Sequence, residues 1–226
     1  MRTEHGGGVP ESTAFAQSLS ALKEDGSSIL LVGRTSSQAH KGACRRLMGA
    51  DGEEPRQRLY VYTLGNESCG HAPASEAAGT TRLVSQTDEV GDSTAPSVGP
   101  DVEEALVGPE LLSTLGTEVI DAIEDLSEDD VAPAELRLCF DSVTPLLREH
   151  KSQNVFRLLH MITSRIRQEQ GMSHFHLPLD RDSDYVRLLE PLFDAVVEVR
   201  RDDDTDTLEQ RWHLRDRDAD SGWIPL

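Results

Sequence analysis

Apolar residues recur along the chain in two patterns, and the first of them predicts helices. Phe15, Leu19 and Leu22 are three or four positions apart, so a helix would place them on one face. Ser12 can cap the start of this helix. The segments with helical spacing are 12–25, 40–48, 111–126, 152–169 and 184–192.

The second pattern, short apolar or β-branched runs, predicts strands between these helices. The run at 28–33 (SILLVG) is apolar without interruption after Ser28, which is typical of a strand buried on both faces. Further strands are predicted at 59–63, 81–86, 136–140, 174–177 and 195–199, with a hairpin partner at 210–214. Because strands alternate with helices, we predict an α/β fold whose mostly parallel sheet is covered by helices on both faces and ends in a C-terminal hairpin.

The organisation of the chain is predicted to be one α/β domain over residues 12–215. Residues 1–11 are expected to be a disordered terminus and residues 216–226 a C-terminal tail. Two segments inside the domain, about 65–80 and 88–107, are crowded with Gly, Ser, Thr, Pro and acidic residues. Such segments have little apolar surface to bury, so we predict that they are flexible insertions.

Acidic residues outnumber basic ones along the whole sequence. There are 41 Asp and Glu against 22 Lys and Arg, a net charge of −19, and only Lys23, Lys41 and Lys151 are lysines. Molar salt shortens the Debye length to about 3 Å and screens such a surface from its own repulsion. We therefore predict a halophilic protein; an acidic mesophilic protein is the alternative. The charge also argues against a nucleic-acid partner.

Cysteine spacing and hydropathy exclude several other classes. Cys44, Cys69 and Cys139 form no C-x-x-C pair, so the spacing predicts neither a disulfide framework nor a zinc knuckle. No apolar run reaches the roughly 18 residues that span a bilayer, and no signal peptide is recognised. We predict a cytoplasmic protein without a membrane partner.

The turn after the first predicted strand is a candidate phosphate loop. P-loop proteins place G-x-x-x-x-G-K-[ST] between a strand and a helix, where backbone N–H groups and the Lys bind phosphate and the hydroxyl binds Mg²⁺. Counting from Gly33, this chain has Gln38, Ala39 and His40 at the Gly, Lys and Ser/Thr positions, and Lys41 follows two residues late. The motif is degenerate, and an ordinary strand-to-helix turn is favoured.

A second candidate lies at the end of strand 136–140, where Asp141 and Ser142 follow the apolar run. A carboxylate at this place matches the Walker B position, which holds Mg²⁺ through water. Alternatively, Asp141 or Ser142 caps the next helix, which carries Pro145 in its first turn. The cap is the favoured interpretation.

A third candidate is the pair His174 and His176. Residues two apart on a strand point to the same side, so both imidazoles could meet one metal ion. The sequence places no third ligand, and two ligands do not close a site. We predict no metal site, with a small metal-dependent enzyme that uses both histidines as an alternative.

The chain resembles a known family through six segments. They are 28–33 (SILLVG), 112–116 (LSTLG), 138–147 (LCFDSVTPLL), 155–160 (VFRLLH), 173–177 (SHFHL) and 192–198 (LFDAVVE). In these segments it resembles the haloarchaeal KaiC-like proteins of the RecA superfamily, most of which are uncharacterised and lack an intact P-loop. The resemblance covers most of residues 12–215, and 136–199 is its specific part.

The resemblance implies a RecA/KaiC-like P-loop NTPase core and a regulatory or signalling role. It implies that Asp141 is the Walker B carboxylate and that His176 lies near the strand-end residue that senses phosphate. Active relatives carry a catalytic Glu after the second strand, where this chain has residues 63–66 (TLGN). Without the Lys, the Ser/Thr and the Glu, hydrolysis is not expected.

These observations lead to one functional hypothesis and two alternatives. The hypothesis is a non-hydrolysing KaiC-like regulatory protein of a halophilic archaeon that binds another protein or itself, with no catalytic residue and no cofactor. Its vestigial nucleotide site would comprise Gly33, Lys41, Asp141, Ser142 and His176. The alternatives are an ATPase with an atypical phosphate loop, which would use ATP and Mg²⁺, and the metal-dependent enzyme.

Overall fold

The helices of the protein follow the predicted pattern closely. A computed structural model describes residues 11–49, 54–64, 78–88, 102–108, 111–128, 131–215 and 219–226. Its helices are α1 (Glu11–Glu24), α2 (Ser37–Leu47), α3 (Leu112–Leu126), α4 (Thr144–Glu149), α5 (Ser152–Gln168), α6 (Asp184–Leu189) and the short 3-10 helix Glu190–Leu192. Helix α2 begins three residues before its predicted start, and the 3-10 helix ends where the last predicted helix was expected to end.

The strands form one ten-stranded sheet. They are β1 (Ser27–Val32), β2 (Gln57–Tyr62), β3 (Thr81–Gln86), β4 (Glu103–Val107), β5 (Leu136–Phe140), β6 (Met172–Leu177), β7 (Ala195–Arg201), β8 (Leu208–Leu214), β9 (Ala219–Asp220) and β10 (Ile224–Pro225). The order across the sheet is β10-β8-β7-β1-β6-β5-β2-β3-β4, and β9 also pairs with β8. From β7 to β4 every neighbouring pair is parallel.

The predicted α/β fold with a mostly parallel sheet and a C-terminal hairpin is confirmed. Strand β1 lies between β6 and β7, and all six of its residues are buried, as its uninterrupted apolar run predicts. The hairpin joins β7 to β8 in an antiparallel pair, with Val197 opposite Trp212. The parallel strands all end at the same edge of the sheet, where the candidate site residues follow them.

Helices pack on both faces of the sheet because its central strands are apolar on both. Leu30 lies in the apolar core on one face with residues of α3 and α5, such as Val119 and Leu159. Ile29, its neighbour on β1, lies in the core of the other face with residues of α1 and α2, such as Ala43. The site described below lies partly under α2, on this second face.

The segment that contains β4 is more regular than the sequence predicts. The prediction of a flexible insertion at 88–107 is wrong over its last five residues, because Glu103–Val107 form β4 in parallel pairing with β3. This edge strand carries two exposed glutamates and an exposed Leu106, and its apolar run is only three residues long, so the sequence pattern does not reveal it. Residues 65–77 and 89–101, most of both predicted insertions, lie outside the described residues.

The predicted C-terminal tail contributes to the sheet. Ala219–Asp220 and Ile224–Pro225 pair antiparallel with β8, and the N–H of Leu226 donates to the carbonyl of Leu208 at 2.9 Å. At the other end, residues 1–10 of the predicted disordered terminus lie outside the described residues, and α1 begins at Glu11.

Candidate functional site

Gly33 ends β1 and turns the chain towards α2. Its φ is +128°, and a Cβ added there would lie 2.1 Å from the carbonyl oxygen of Val199 on β7. Its N–H donates to the carbonyl of Leu179 at 2.9 Å. The close approach of the neighbouring strand therefore requires glycine at this position. The close packing against β7 is therefore sufficient to explain Gly33, the first residue of the degenerate phosphate-loop motif.

The turn from Gly33 to α2 is short and held by its own backbone. The N–H of Thr35 donates to the carbonyl of Gly33 at 3.0 Å, and Ser36 occupies the N-cap position of α2 without a side-chain capping bond. In the first turns of this helix His40 is buried and Lys41 is exposed. Lys41 therefore does not join the buried residues of the predicted site.

His40 lies where the phosphate-loop motif has its Mg²⁺-binding hydroxyl. Its side chain is buried, with Nε2 2.9 Å from the carbonyl oxygen of Gly33 and Nδ1 3.1 Å from Nδ1 of His176. A carbonyl oxygen only accepts, so the hydrogen bonding assigns the proton of His40 to Nε2. In the neutral ring, Nδ1 of His40 then accepts from Nδ1–H of His176. Nε2 of His176 keeps its lone pair, and this buried atom has no hydrogen-bond partner among the described residues.

Asp141 joins the ends of β5 and β2. It is buried, and its Oδ1 accepts from the backbone N–H of Thr63 at 2.9 Å. The Thr63 hydroxyl lies 3.2 Å from the same oxygen and 2.7 Å from the carbonyl oxygen of Ser142. Thr63 is the residue that follows β2, so the carboxylate fastens two neighbouring strand ends to each other.

The prediction that Asp141 or Ser142 caps the next helix is wrong. Helix α4 has Val143 in its N-cap position, and no side chain caps it. Asp141 instead continues the line of β5, which directs its carboxylate towards β2 rather than towards α4. Val143 donates its N–H to the carbonyl of His176 at 2.9 Å, and the Oγ of Ser142 is buried with no hydrogen-bond partner among the described residues.

The structure brings four of the five predicted site residues to one edge of the sheet. Gly33 follows β1, His176 lies near the end of β6, and Asp141 and Ser142 follow β5. Because β6 lies between β1 and β5, His176 lies between the glycine and the carboxylate. Lys41, the fifth residue, is exposed on α2 and lies apart from them.

A cluster of thiols and imidazoles lies beside this edge, between α2 and the sheet. Cys44 of α2, Cys139 of β5, and His174 and His176 of β6 are all buried. One ligand atom from each of the four lies within 4.8 Å of all the others. The two Sγ atoms are 3.4 Å apart, and they are not joined in a disulfide. We call this set the Cys2His2 cluster.

The spacing of residues in the sequence pointed to the two histidines of this cluster but not to its two cysteines. One usable signal was present, because Cys44 is four residues after the buried His40 and so lies on the same helix face. Cys44 and Cys139 are nonetheless 95 residues apart in the sequence. The pairing of β5 with β6 places Cys139 opposite His174, and the packing of α2 on the sheet adds Cys44.

Two buried arginines hold the C-terminal end of α2. Arg137 donates from Nη1 to the carbonyl of Leu47 at 3.1 Å, and Arg58 donates from Nε to the carbonyl of Met48 at 3.3 Å. Cations are favourable at this end of a helix because its last carbonyls are unpaired. Burial lowers the pKa of Arg137 to about 10, and burial also lowers the pKa of Arg58. Helix α2 is therefore anchored to the sheet through polar contacts at both ends.

A groove lies on the opposite face of the sheet, between α3 and α5. Its volume is about 420 Å³, and Leu111, Leu158 and Met161 contribute apolar lining. Leu111 is 59% exposed and Met161 is 43% exposed. The groove is therefore open and largely apolar, and it is separate from the residues at the carboxyl edge.

Comparison with known proteins assigns the chain to a family. Within the described residues, no helix has both the length and the apolar character needed to cross a bilayer. No curated protein matches the sequence. A family model described as "Family of unknown function (DUF7504)" matches residues 26–199, which is more than three quarters of the chain and includes both sets of site residues. The protein belongs to this family of unknown function, DUF7504.

Proposed function

We propose that the protein is a non-hydrolysing regulatory protein of a halophilic archaeon, with a RecA/KaiC-like core, that binds another protein or a second copy of itself. The arrangement of the sheet supports such a core. The degenerate loop after β1 and the carboxylate after β5 flank β6, whose His176 has the place expected of a residue near the phosphate. The α/β fold itself accommodates many functions, so the site residues carry the proposal.

The contact between His40 and His176 is the main observation that supports the proposed function. His40 replaces the hydroxyl that would bind Mg²⁺, and its ring reaches from the Gly33 carbonyl to the His176 ring. Two buried imidazoles thus occupy the region between the ends of β1 and β6. A nucleotide with its metal ion would have to displace them.

The exposure of Lys41 supports the loss of hydrolysis. Phosphoryl transfer depends on positioned cations that neutralise the charge on the transferred group. Lys41 is exposed on α2, while the motif position for lysine holds the buried Ala39. The chain therefore offers no lysine at the place where the motif requires one.

The open groove between α3 and α5 supports a role in protein binding. Exposed apolar patches on soluble domains commonly mark interaction sites, and methionine is enriched at such interfaces. Leu111 and Met161 supply two large apolar side chains beside the groove. This surface lies on the face of the sheet opposite α2, so a partner could bind there without touching the carboxyl edge.

Nucleotide titration tests the loss of hydrolysis. In molar KCl with Mg²⁺, we expect the purified protein to show no ATP turnover above background and no rise in melting temperature at saturating nucleotide. Lys41→Ala should behave as wild type in both assays. Turnover that disappears in Lys41→Ala would contradict the proposal and favour an ATPase with an atypical loop.

Analytical ultracentrifugation tests whether the partner is a second copy. We expect wild type to self-associate and Met161→Glu to weaken the association by about tenfold or more, since a charge would enter the apolar contact. Tyr185→Glu, at an exposed residue of α6, is the matched control and should associate as wild type. If the wild-type protein stays monomeric, self-association is excluded, and the proposed partner is then another protein.

A further inference from the structure

We propose that the Cys2His2 cluster binds a zinc ion. This inference does not depend on the proposed function: the cluster shares His176 with the vestigial nucleotide site, but zinc binding requires no nucleotide. Two cysteine thiolates and two imidazoles are a common ligand set of structural zinc sites. Cys44 comes from α2, Cys139 from β5, and His174 and His176 from β6, so three separate elements converge on one point.

The distances fit a tetrahedral site after small shifts of the ligand atoms. Zn–S bonds of about 2.3 Å and Zn–N bonds of about 2.0 Å give ligand atoms about 3.3–3.8 Å apart around a tetrahedral ion. The Sγ atoms of Cys44 and Cys139 are 3.4 Å apart, and all four ligand atoms lie within 4.8 Å of one another. Shifts of about 1 Å or less would bring all four into coordination.

The charge of the cluster also fits a divalent ion. A buried group must be hydrogen-bonded, paired or bound to a metal, because burying an isolated charge is costly. Two thiolates and one Zn²⁺ have no net charge, and neutral imidazoles add none. The four side chains are all buried, so a neutral complex is the form that this site can hold most easily.

The hydrogen bonds of His176 prepare it to bind a metal. His176 donates from Nδ1 to His40, which in turn donates from Nε2 to the carbonyl of Gly33. Nε2 of His176 is then a buried lone pair without a hydrogen-bond partner among the described residues. Metal-binding histidines typically donate their other N–H to a neighbouring acceptor, which fixes the ring and its tautomer. His40 is that acceptor here and acts as a positioning residue.

The site is closed, which indicates a structural ion. A catalytic zinc keeps one position for water or substrate, whereas four protein ligands fill the tetrahedron. The ion would fasten the middle of α2 to β5 and β6, in addition to the arginines at the end of that helix. The metal would therefore stabilise the turn after β1 through His176 and His40, and it would not activate water.

Metal analysis of the wild-type protein is the first test. Untagged protein, purified with a reducing agent and without chelator or added metal, should contain about one zinc per chain. X-ray absorption at the zinc edge should show two sulfur neighbours at about 2.3 Å and two nitrogen neighbours at about 2.0–2.1 Å. Absence of zinc, coordination without sulfur, or a Cys44–Cys139 disulfide in metal-free protein would overturn the proposal.

Variants assign the ligands. Cys44→Ser and His174→Gln should each lower zinc content to about a tenth of wild type or less, since a structural site needs all four ligands. Cys69→Ser removes the third thiol and is the matched control, which should keep its zinc. Equal zinc in Cys44→Ser and wild type, or loss in Cys69→Ser, would overturn the ligand set. If the ligand variants fail to fold, the absorption spectrum of wild type decides.

Discussion

His40 and His176 are hydrogen-bonded through their Nδ1 atoms at 3.1 Å, although 136 residues separate them in the sequence. Their ring planes are inclined by 42°, with centroids 5.4 Å apart, and both residues are buried. The contact joins the first turns of α2 to the end of β6. It fills the space between the ends of β1 and β6, and it orients the ring of His176, which is one of the four residues of the Cys2His2 cluster.

Removing the His40 ring should destabilise the protein. In His40→Ala, the buried carbonyl of Gly33 and the Nδ1–H of His176 each lose a partner, which should lower the free energy of unfolding by about 1–3 kcal/mol. Urea unfolding measures the change. His160→Ala, at an exposed residue of α5, is the control and should shift it by about 0.5 kcal/mol at most. A His40→Ala variant as stable as this control would contradict the role of the contact.

Substitutions at Asp141 should reveal a strand-end contact and not a helix cap. Asp141→Ala removes the carboxylate oxygen that accepts from the buried N–H of Thr63, so we expect a loss of about 1–3 kcal/mol of unfolding free energy. Asp141→Asn keeps an acceptor oxygen at the same reach and should recover most of the loss, whereas Asp141→Ser is too short to do so. The stability of none of these three variants should depend on Mg·ATP. If Asp141→Ser recovered the lost stability, the helix-cap interpretation would be supported. If Mg·ATP raised the melting temperature of wild type and Asp141→Ser abolished that rise, the carboxylate would be a metal ligand.

Alanine at Gly33 should be strongly destabilising. The new Cβ would collide with the backbone of Val199, and φ of +128° is a conformation that other residues rarely adopt. We expect a loss of about 2–4 kcal/mol in chemical denaturation. Gly108→Ala is the matched control, because a Cβ there meets no atom within 4 Å, and it should change stability by about 0.5 kcal/mol or less. Similar losses in both variants would show that the approach of β7 does not constrain Gly33.

The pH dependence of Arg137 follows from its burial. The folded pKa is about 10, below the ordinary value of an arginine side chain, so between these two values the unfolded chain binds more protons. The contribution of Arg137 to stability therefore rises as pH passes through about 10. Relative to Arg137→Met, wild type should gain about 1 kcal/mol of unfolding free energy between about pH 9 and 11. The same comparison with Arg34→Met, at a side chain that is 77% exposed, should show little change. A pH-independent difference for Arg137 would contradict its buried charge.

Salt should stabilise the fold, as the halophilic hypothesis predicts. Two effects compete, since salt screens both the self-repulsion of the −19 charge and the attraction within exposed ion pairs such as Arg187 with Asp184. Exposed pairs contribute only about 0–1 kcal/mol each, so the self-repulsion should dominate. We expect the melting temperature, followed by circular dichroism, to fall as KCl is lowered from about molar to about ten millimolar. An unchanged or rising melting temperature would contradict this prediction.

Local patterns in the sequence were sufficient to predict most helices and strands and the class of fold. The apolar run of β1 and the helical spacing in α3 and α5 are local patterns, because side-chain periodicity depends only on the geometry of one strand or one helix. The same patterns placed Asp141 and His176 at strand ends. Strand β4 was missed because its two exposed glutamates leave an apolar run of only three residues, and its parallel pairing with β3 depends on a distant segment of the chain.

The contacts between distant residues follow from the order of the strands and the position of α2, which local patterns do not predict. The order β1-β6-β5 sets His176 beside both strand ends, and the position of α2 over β5 and β6 brings Cys44 to Cys139 and His40 to His176. The partner of Asp141 was likewise decided by the neighbour of β5, which is β2 and its Thr63, and not by the helix that follows in sequence. Contacts between distant segments depend on how strands are ordered in the sheet, and no local spacing along the chain encodes that order.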